Sequence, residues 1–116
     1  MRFKLFGLGS KQMGRRLIVV HPGSRTSDYS PVQCISFDIF AKPDDIPEHV
    51  KDLLYDVGYD VGKSCEYASK YIAQGLPYFI STDTCYSYNL AVKVIKAVFE
   101  LVRSGFEVVY EGDGKA

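Results

Sequence analysis

The chain of 116 residues has the length and composition of one globular domain, with 47% apolar and 24% charged residues. This composition excludes a largely disordered chain, and no apolar run approaches the roughly 20 residues of a membrane-spanning helix. Three cysteines without short spacing predict neither a disulfide framework nor a zinc site. A reducing, cytoplasmic location is therefore expected.

The net charge of zero hides an uneven distribution of charge along the chain. Residues 1–27 hold six bases and no acid, whereas residues 28–116 hold the other eight bases and all 14 acids. The bases of residues 2–25, among them Arg15, Arg16 and Arg25, could contact an acidic partner or the phosphates of nucleic acid. Alternatively, the basic segment lies against the acidic remainder of its own domain.

The first 40 residues predict strands. In residues 2–6 apolar and basic side chains alternate, so residues 1–14 are expected either to be mobile or to add an edge strand. The β-branched run at residues 15–20 predicts a buried strand, and the alternation at residues 32–40 predicts a second. Turn-forming residues between them predict a hairpin with a long connection.

A single long helix is predicted at residues 46–72. Asp44 or Asp45 can cap it, and Pro47 suits its first turn. Its apolar residues keep one helical phase throughout: Ile46, Val50, Leu53, Leu54, Val57, Val61, Cys65, Ala68 and Ile72. Gly58 and Gly62 are therefore interpreted as weak points within the helix rather than as breaks.

The remaining residues predict a strand, a second helix and a last strand. The strand lies at residues 78–81, the helix at residues 86–104, and the last strand at residues 106–110, before a frayed tail at 111–116. The helix has only one narrow polar lane, so most of its circumference is expected to be covered. The order β-β-α-β-α-β predicts an α+β fold, a two-layer sandwich with a mixed four- or five-stranded sheet and both helices on one face.

The polar side of the long helix provides the main functional hypothesis. Tyr55 and Tyr59 point away from the apolar stripe, beside a lane of small residues that includes Gly58 and Gly62. Asp52 and Asp56 add an acidic lane. Because tyrosines are enriched in binding hot spots and small residues allow close approach, this face predicts docking of a protein partner. Alternatively, the first residues of the chain cover these rings, or the rings are simply exposed.

Cys85 provides the alternative of catalysis. It follows a run of small polar residues between a predicted strand and a predicted helix, where the positive end of the helix dipole would favour a thiolate. His21 and Asp38 could then act as base and orienting residue. No arginine or glycine follows the cysteine to cradle a phosphate, however, and residues 81–84 are equally suited to capping the helix.

The sequence thus predicts a small non-enzymatic protein that binds a macromolecular partner, with no cofactor and no metal. His21 and His49 have no second ligand at metal-binding spacing. By analogy, such a protein could be a regulator or inhibitor carried by a mobile genetic element such as a phage. A cysteine-dependent enzyme and a nucleic-acid-binding protein are the alternatives, and homodimerisation is open.

Overall fold

Four strands form one mixed sheet in the order β3-β2-β1-β4. The structure is a computed structural model that describes residues 15–26, 31–58, 66–85 and 87–112. The strands are β1 (Leu17–Thr26), β2 (Pro31–Phe40), β3 (Ile80–Asp83) and β4 (Glu107–Tyr110). β2 is antiparallel to both β1 and β3, whereas β4 is parallel to β1. The predicted α+β fold with a four-stranded mixed sheet is confirmed, and a fifth strand at residues 1–14 would lie outside the described residues.

Within the described residues, three helices pack on this sheet. They are α1 (Glu48–Val57), α2 (Glu66–Ala73) and α3 (Tyr88–Arg103), and a 3-10 turn at Pro43–Asp45 precedes α1. The prediction of one uninterrupted helix over residues 46–72 is wrong, because α1 ends at Val57 and Gly58 has an extended backbone (φ −93°, ψ 164°). Tyr59 and Gly62 lie outside the described residues.

The two sheet faces carry separate apolar clusters. On one face, α1 and α3 cover Ile18, Phe37 and Ile39, as predicted for the two helices. On the other face, α2 places Ala68 and Tyr71 against a second set of strand residues, which is Leu17, Val19 and Phe40. Helical periodicity reports which side of each helix is buried, but it does not report which face of the sheet covers it. The second half of the predicted stripe therefore packs on the face opposite to the first half.

Gly58 lies where the chain passes close to the start of β3. A Cβ atom at this position would be 2.7 Å from the carbonyl oxygen of Leu54 and 2.7 Å from Cγ1 of Ile80. The glycine is therefore needed for packing within the domain. This finding corrects the interpretation of Gly58 as part of an open lane for a partner.

The sign of the change in unfolding free energy caused by Gly58→Ala tests this packing. We expect a loss of about 1–3 kcal/mol of unfolding free energy, because the new methyl group overpacks against Leu54 and Ile80. Within an uninterrupted, exposed helix the same substitution would instead stabilise the protein by about 1 kcal/mol. Urea denaturation distinguishes the two signs, and a stabilised variant would contradict the observed end of α1.

The end of the described chain is tied to the domain. The backbone N–H of Glu111 donates to the carbonyl oxygen of Val20, and its carboxylate accepts hydrogen bonds from Lys70 and Tyr71. The prediction that fraying begins at residue 111 is therefore wrong. Residues 113–116 lie outside the described residues.

Candidate interaction surface

Helix α3 has two apolar sides, and the described part of the chain covers only one of them. Val94, Ala97 and Leu101 are buried on the sheet. On the opposite side, four large side chains are exposed and fall within about 60° of one another around the helix, namely Tyr88, Ile95, Phe99 and Val102. Phe99 is 65% exposed. The expectation that most of this helix is covered is therefore wrong for the described part of the chain.

Strand β4, which follows α3 directly in the chain, carries two further exposed apolar side chains at the edge of the sheet. Val108 and Tyr110 pair with Ile18 and Val20 of β1, so they lie on the face that carries α1 and α3. Tyr110 is 67% exposed and Val108 about half exposed. We call the set Ile95, Phe99, Val102, Val108 and Tyr110 the α3–β4 surface.

The outer edge of β4 carries backbone groups that point away from the sheet. The N–H groups of Glu107 and Glu111 donate to Arg16 and Val20, so the odd-numbered residues of β4 face β1. In a strand, the backbone groups of the intervening residues point the other way. The N–H and carbonyl groups of Val108 and Tyr110 therefore face outward, and among the described strands none lies beyond β4.

The predicted tyrosine face of α1 is present in part. Tyr55 is 60% exposed, and its ring lies 5.7 Å from that of Phe79 between centroids. Asp52 and Asp56 are exposed beside it, and the carboxylate of Asp56 is 3.8 Å from Nζ of Lys93 on α3. Tyr55 and the two aspartates thus form a second exposed surface, which lies next to α3.

Two of the predicted basic site residues contact the domain itself. The Nε atom of Arg15 donates to the carboxylate of Glu107 at 2.6 Å, and the guanidinium of Arg16 lies 5.4 Å from the centre of the Phe106 ring. These contacts fit the interpretation that the basic segment lies against the acidic remainder. Arg25 belongs to β1, but its side chain is outside the described part of the structure.

A row of buried polar side chains lies on the sheet face that carries α2. His21 pairs with Ser36 in the β1–β2 register, and Ser36 pairs with Asp83 in the β2–β3 register. Asp38 lies two positions after Ser36 on β2, on the same face of the sheet. Nε2 of His21 lies 2.9 Å from Oδ2 of Asp38, and the His21 ring stacks on Tyr67. Burial disfavours the charged ring, but the hydrogen bond and charge of Asp38 outweigh it, so the pKa of His21 is raised above 6.5.

Cys85 does not stand alone beside this row, because it forms a disulfide with Cys34. The expectation that the cysteines do not form a disulfide is therefore wrong. The pairing follows from the β2–β3 register, in which Ile35 and Thr84 exchange hydrogen bonds and bring the neighbouring cysteines to a Cα separation of 5.3 Å. A half-cystine has no thiolate for nucleophilic attack or for metal binding.

The polar residues between β3 and α3 form a turn. The backbone N–H of Cys85 donates to Oδ1 of Asp83 at 2.8 Å, which is the hydrogen bond of an aspartate-initiated turn. Together with Cys34 and Cys85, Asp83 forms a group whose possible ligand atoms lie within 4.8 Å of one another. These are ligand types that zinc accepts, but only after reduction of the disulfide would both sulfurs be available.

A second polar contact, which the sequence did not indicate, joins α2 to the end of β4. The Tyr71 hydroxyl donates to the Glu111 carboxylate at 2.5 Å, and Nζ of Lys70 donates to the same oxygen at 2.9 Å. Burial and this hydrogen bond raise the pKa of Tyr71 to about 12, and the two donors lower the pKa of Glu111. Because these residues are 40 positions apart, no local pattern could reveal the contact.

None of the described helices combines the length and the apolarity needed to cross a membrane. Comparisons of the chain with protein-family models, with curated proteins and with solved structures returned no match. The functional interpretation therefore depends on the geometry of the two exposed surfaces and of the polar row.

Proposed function

We propose that the protein is a non-enzymatic protein-binding module that docks its macromolecular partner through the α3–β4 surface. The observation that carries this proposal is the exposed apolar side of α3, together with the exposed Val108 and Tyr110 on the edge strand that follows it. Water contact with large apolar side chains is unfavourable, and contiguous exposed apolar patches are typical of interaction sites. Phe99, a large aromatic side chain that is mostly exposed on this side of α3, is the expected anchor.

The bonding of the candidate catalytic side chains supports binding rather than catalysis. His21 and Asp38 are buried and bonded to each other beneath Tyr67, and Cys85 is bonded to Cys34. The cysteine-dependent enzyme, the nucleic-acid-binding protein and the regulator carried by a mobile genetic element stay predictions.

Phe99→Glu tests the docking site. Because the charge would sit within the apolar surface, capture of partner from an extract of the native host should fall by at least about 30-fold, the equivalent of about 2 kcal/mol. The melting temperature should stay close to that of the unmodified protein, since Phe99 is mostly exposed. Tyr55→Ala is the matched control on the α1 surface, and undiminished capture by Phe99→Glu would refute the site.

Tyr55→Ala also tests the original tyrosine hypothesis. We expect it to lower the unfolding free energy by at most about 1 kcal/mol, because the ring is mostly exposed and its aromatic contact is with Phe79. A thermal melt measures this cost. If Tyr55→Ala abolishes partner capture while Phe99→Glu does not, the docking face is α1 rather than α3.

A further inference from the structure

We infer that the partner of the α3–β4 surface is a second copy of this chain, an inference that rests on the proposed binding function. Two copies related by a two-fold axis would pair their β4 strands antiparallel and extend the sheet across the seam. Such an interface uses the same surface of both copies and closes on itself. It would cover both the outward backbone groups of β4 and the exposed side of α3.

The backbone of β4 is suited to pairing with itself. Val108 and Tyr110 both direct their N–H and carbonyl groups outward. With Val109 on the two-fold axis, Val108 of each copy lies opposite Tyr110 of the other. Since each such pair exchanges two hydrogen bonds in an antiparallel ladder, this register gives about four new bonds. If the two strands are shifted from this register, fewer of the outward-facing N–H and carbonyl groups of Val108 and Tyr110 lie opposite each other.

The side chains in this register are also complementary. On the face that carries α3, each Val108 lies beside a tyrosine ring, which is a favourable pairing of a β-branched with an aromatic residue. On the other face, Val109 meets its symmetry mate. Both contacts bury apolar side chains that are exposed or half-buried in the single copy.

The charges in this register are balanced within each copy. Glu107 would lie opposite Glu111 of the second copy, which alone would be unfavourable. Each acid already has a base in its own chain, however: Glu107 bonds to Arg15 at 2.6 Å, and Glu111 bonds to Lys70 at 2.9 Å. The seam therefore joins two neutral ion pairs rather than two bare carboxylates.

The helices would meet above the extended sheet. α1 and α3 pack side by side on one face, and packed helices lie about 8–10 Å apart, or roughly two strand spacings. Residues 104–106 connect α3 directly to β4, so the C-terminal end of α3 lies near the seam. Phe99 and Val102 belong to the last two turns of α3, and in the proposed dimer they would approach the same helix of the second copy.

The first measurement is the mass of the purified protein. A Cys65→Ser background removes the cysteine outside the disulfide and so prevents adventitious crosslinking. Light scattering after size exclusion at about 100 µM should give twice the chain mass of 13.0 kDa, with the mass falling on dilution. A mass of one chain at that concentration would overturn the inference.

Two variants locate the interface. Val108→Lys charges the strand edge and Phe99→Glu charges the helix, and each should weaken dimerisation at least about tenfold. Ile35→Lys is the matched control, because Ile35 is also an exposed apolar strand residue but lies on β2, away from β4. All three should keep a normal melt. A dimer unaffected by both test variants would show that the copies associate through another surface.

A photo-crosslinking amino acid in place of Phe99 separates this inference from the proposed function. Irradiated in an extract of the native host, it should yield a covalent dimer of the chain, identified by mass spectrometry. A crosslink to a different protein would refute the second copy as partner while supporting the docking site. No crosslinked product of either kind would count against both.

Discussion

Reduction of the Cys34–Cys85 disulfide is expected to lower the unfolding free energy by about 4 kcal/mol. The bond closes a loop across 51 positions of the chain, and in the chain-entropy description a crosslink of this length removes about that much conformational freedom from the unfolded state. The bond holds the beginning of β2 to the segment between β3 and α3. Its loss therefore also releases the connection that leads into α3.

Urea denaturation with and without a reductant measures this effect. Cys34→Ser and Cys85→Ser should each reproduce the reduced protein, whereas Cys65→Ser should leave the difference between oxidised and reduced samples intact. An assay for free thiols should find one per unfolded, unreduced chain. Three free thiols, or equal stability in both conditions, would contradict the disulfide.

Asp38→Ala is expected to destabilise the fold by about 3–5 kcal/mol. Asp38 is fully buried, and its carboxylate is bonded to the buried His21 ring. Removing the acid leaves an imidazole without its charge partner beneath Tyr67 and opens space in the sheet face. Urea denaturation measures the loss, and Ser36→Ala, a change of a neighbouring buried polar residue without a charge, is the control.

The same pair predicts a pH dependence with a defined sign. The folded protein holds the His21 proton more tightly than the unfolded chain, because its pKa is raised above 6.5. The corresponding stabilisation is fully present below pH 6.5 and is lost as the pH rises through the folded pKa. Unmodified protein should therefore lose this contribution as the pH rises above 6.5.

Asp38→Asn isolates this contribution because it keeps the size of the side chain and removes its charge. The part of the pH dependence that comes from His21 should flatten in this variant, as measured by urea midpoints across the same pH range. If Asp38→Asn and the unmodified protein had parallel pH profiles, His21 would not be stabilised by Asp38. Asp38→Ala would then destabilise only through the loss of packing.

Local patterns predicted β2 well, because its side chains alternate regularly. They ended the first strand at residue 20 because turn-forming residues follow, whereas β1 continues to Thr26, so the predicted long connection is wrong. They also named His21 and Asp38 as possible partners of Cys85, but the two residues bond to each other and Cys85 bonds to Cys34. The end of α1 at Gly58 was not predictable from the same information. It depends on the close approach of Ile80, a residue 22 positions further along the chain.

The sequence by itself determined the α+β class, the order of the four strands and the last helix along the chain, and the buried side of the helices, because these follow from periodicities of two and 3.6 residues. Only the tertiary structure decided that α2 lies opposite α1, that Cys85 pairs with Cys34, and that one apolar side of α3 stays exposed. Each of these depends on which distant segments meet, and a one-dimensional pattern carries no information about the position of a neighbour. The exposure of Phe99 in particular could not be predicted. An apolar side of a helix has the same pattern in the sequence whether or not another part of the domain covers it.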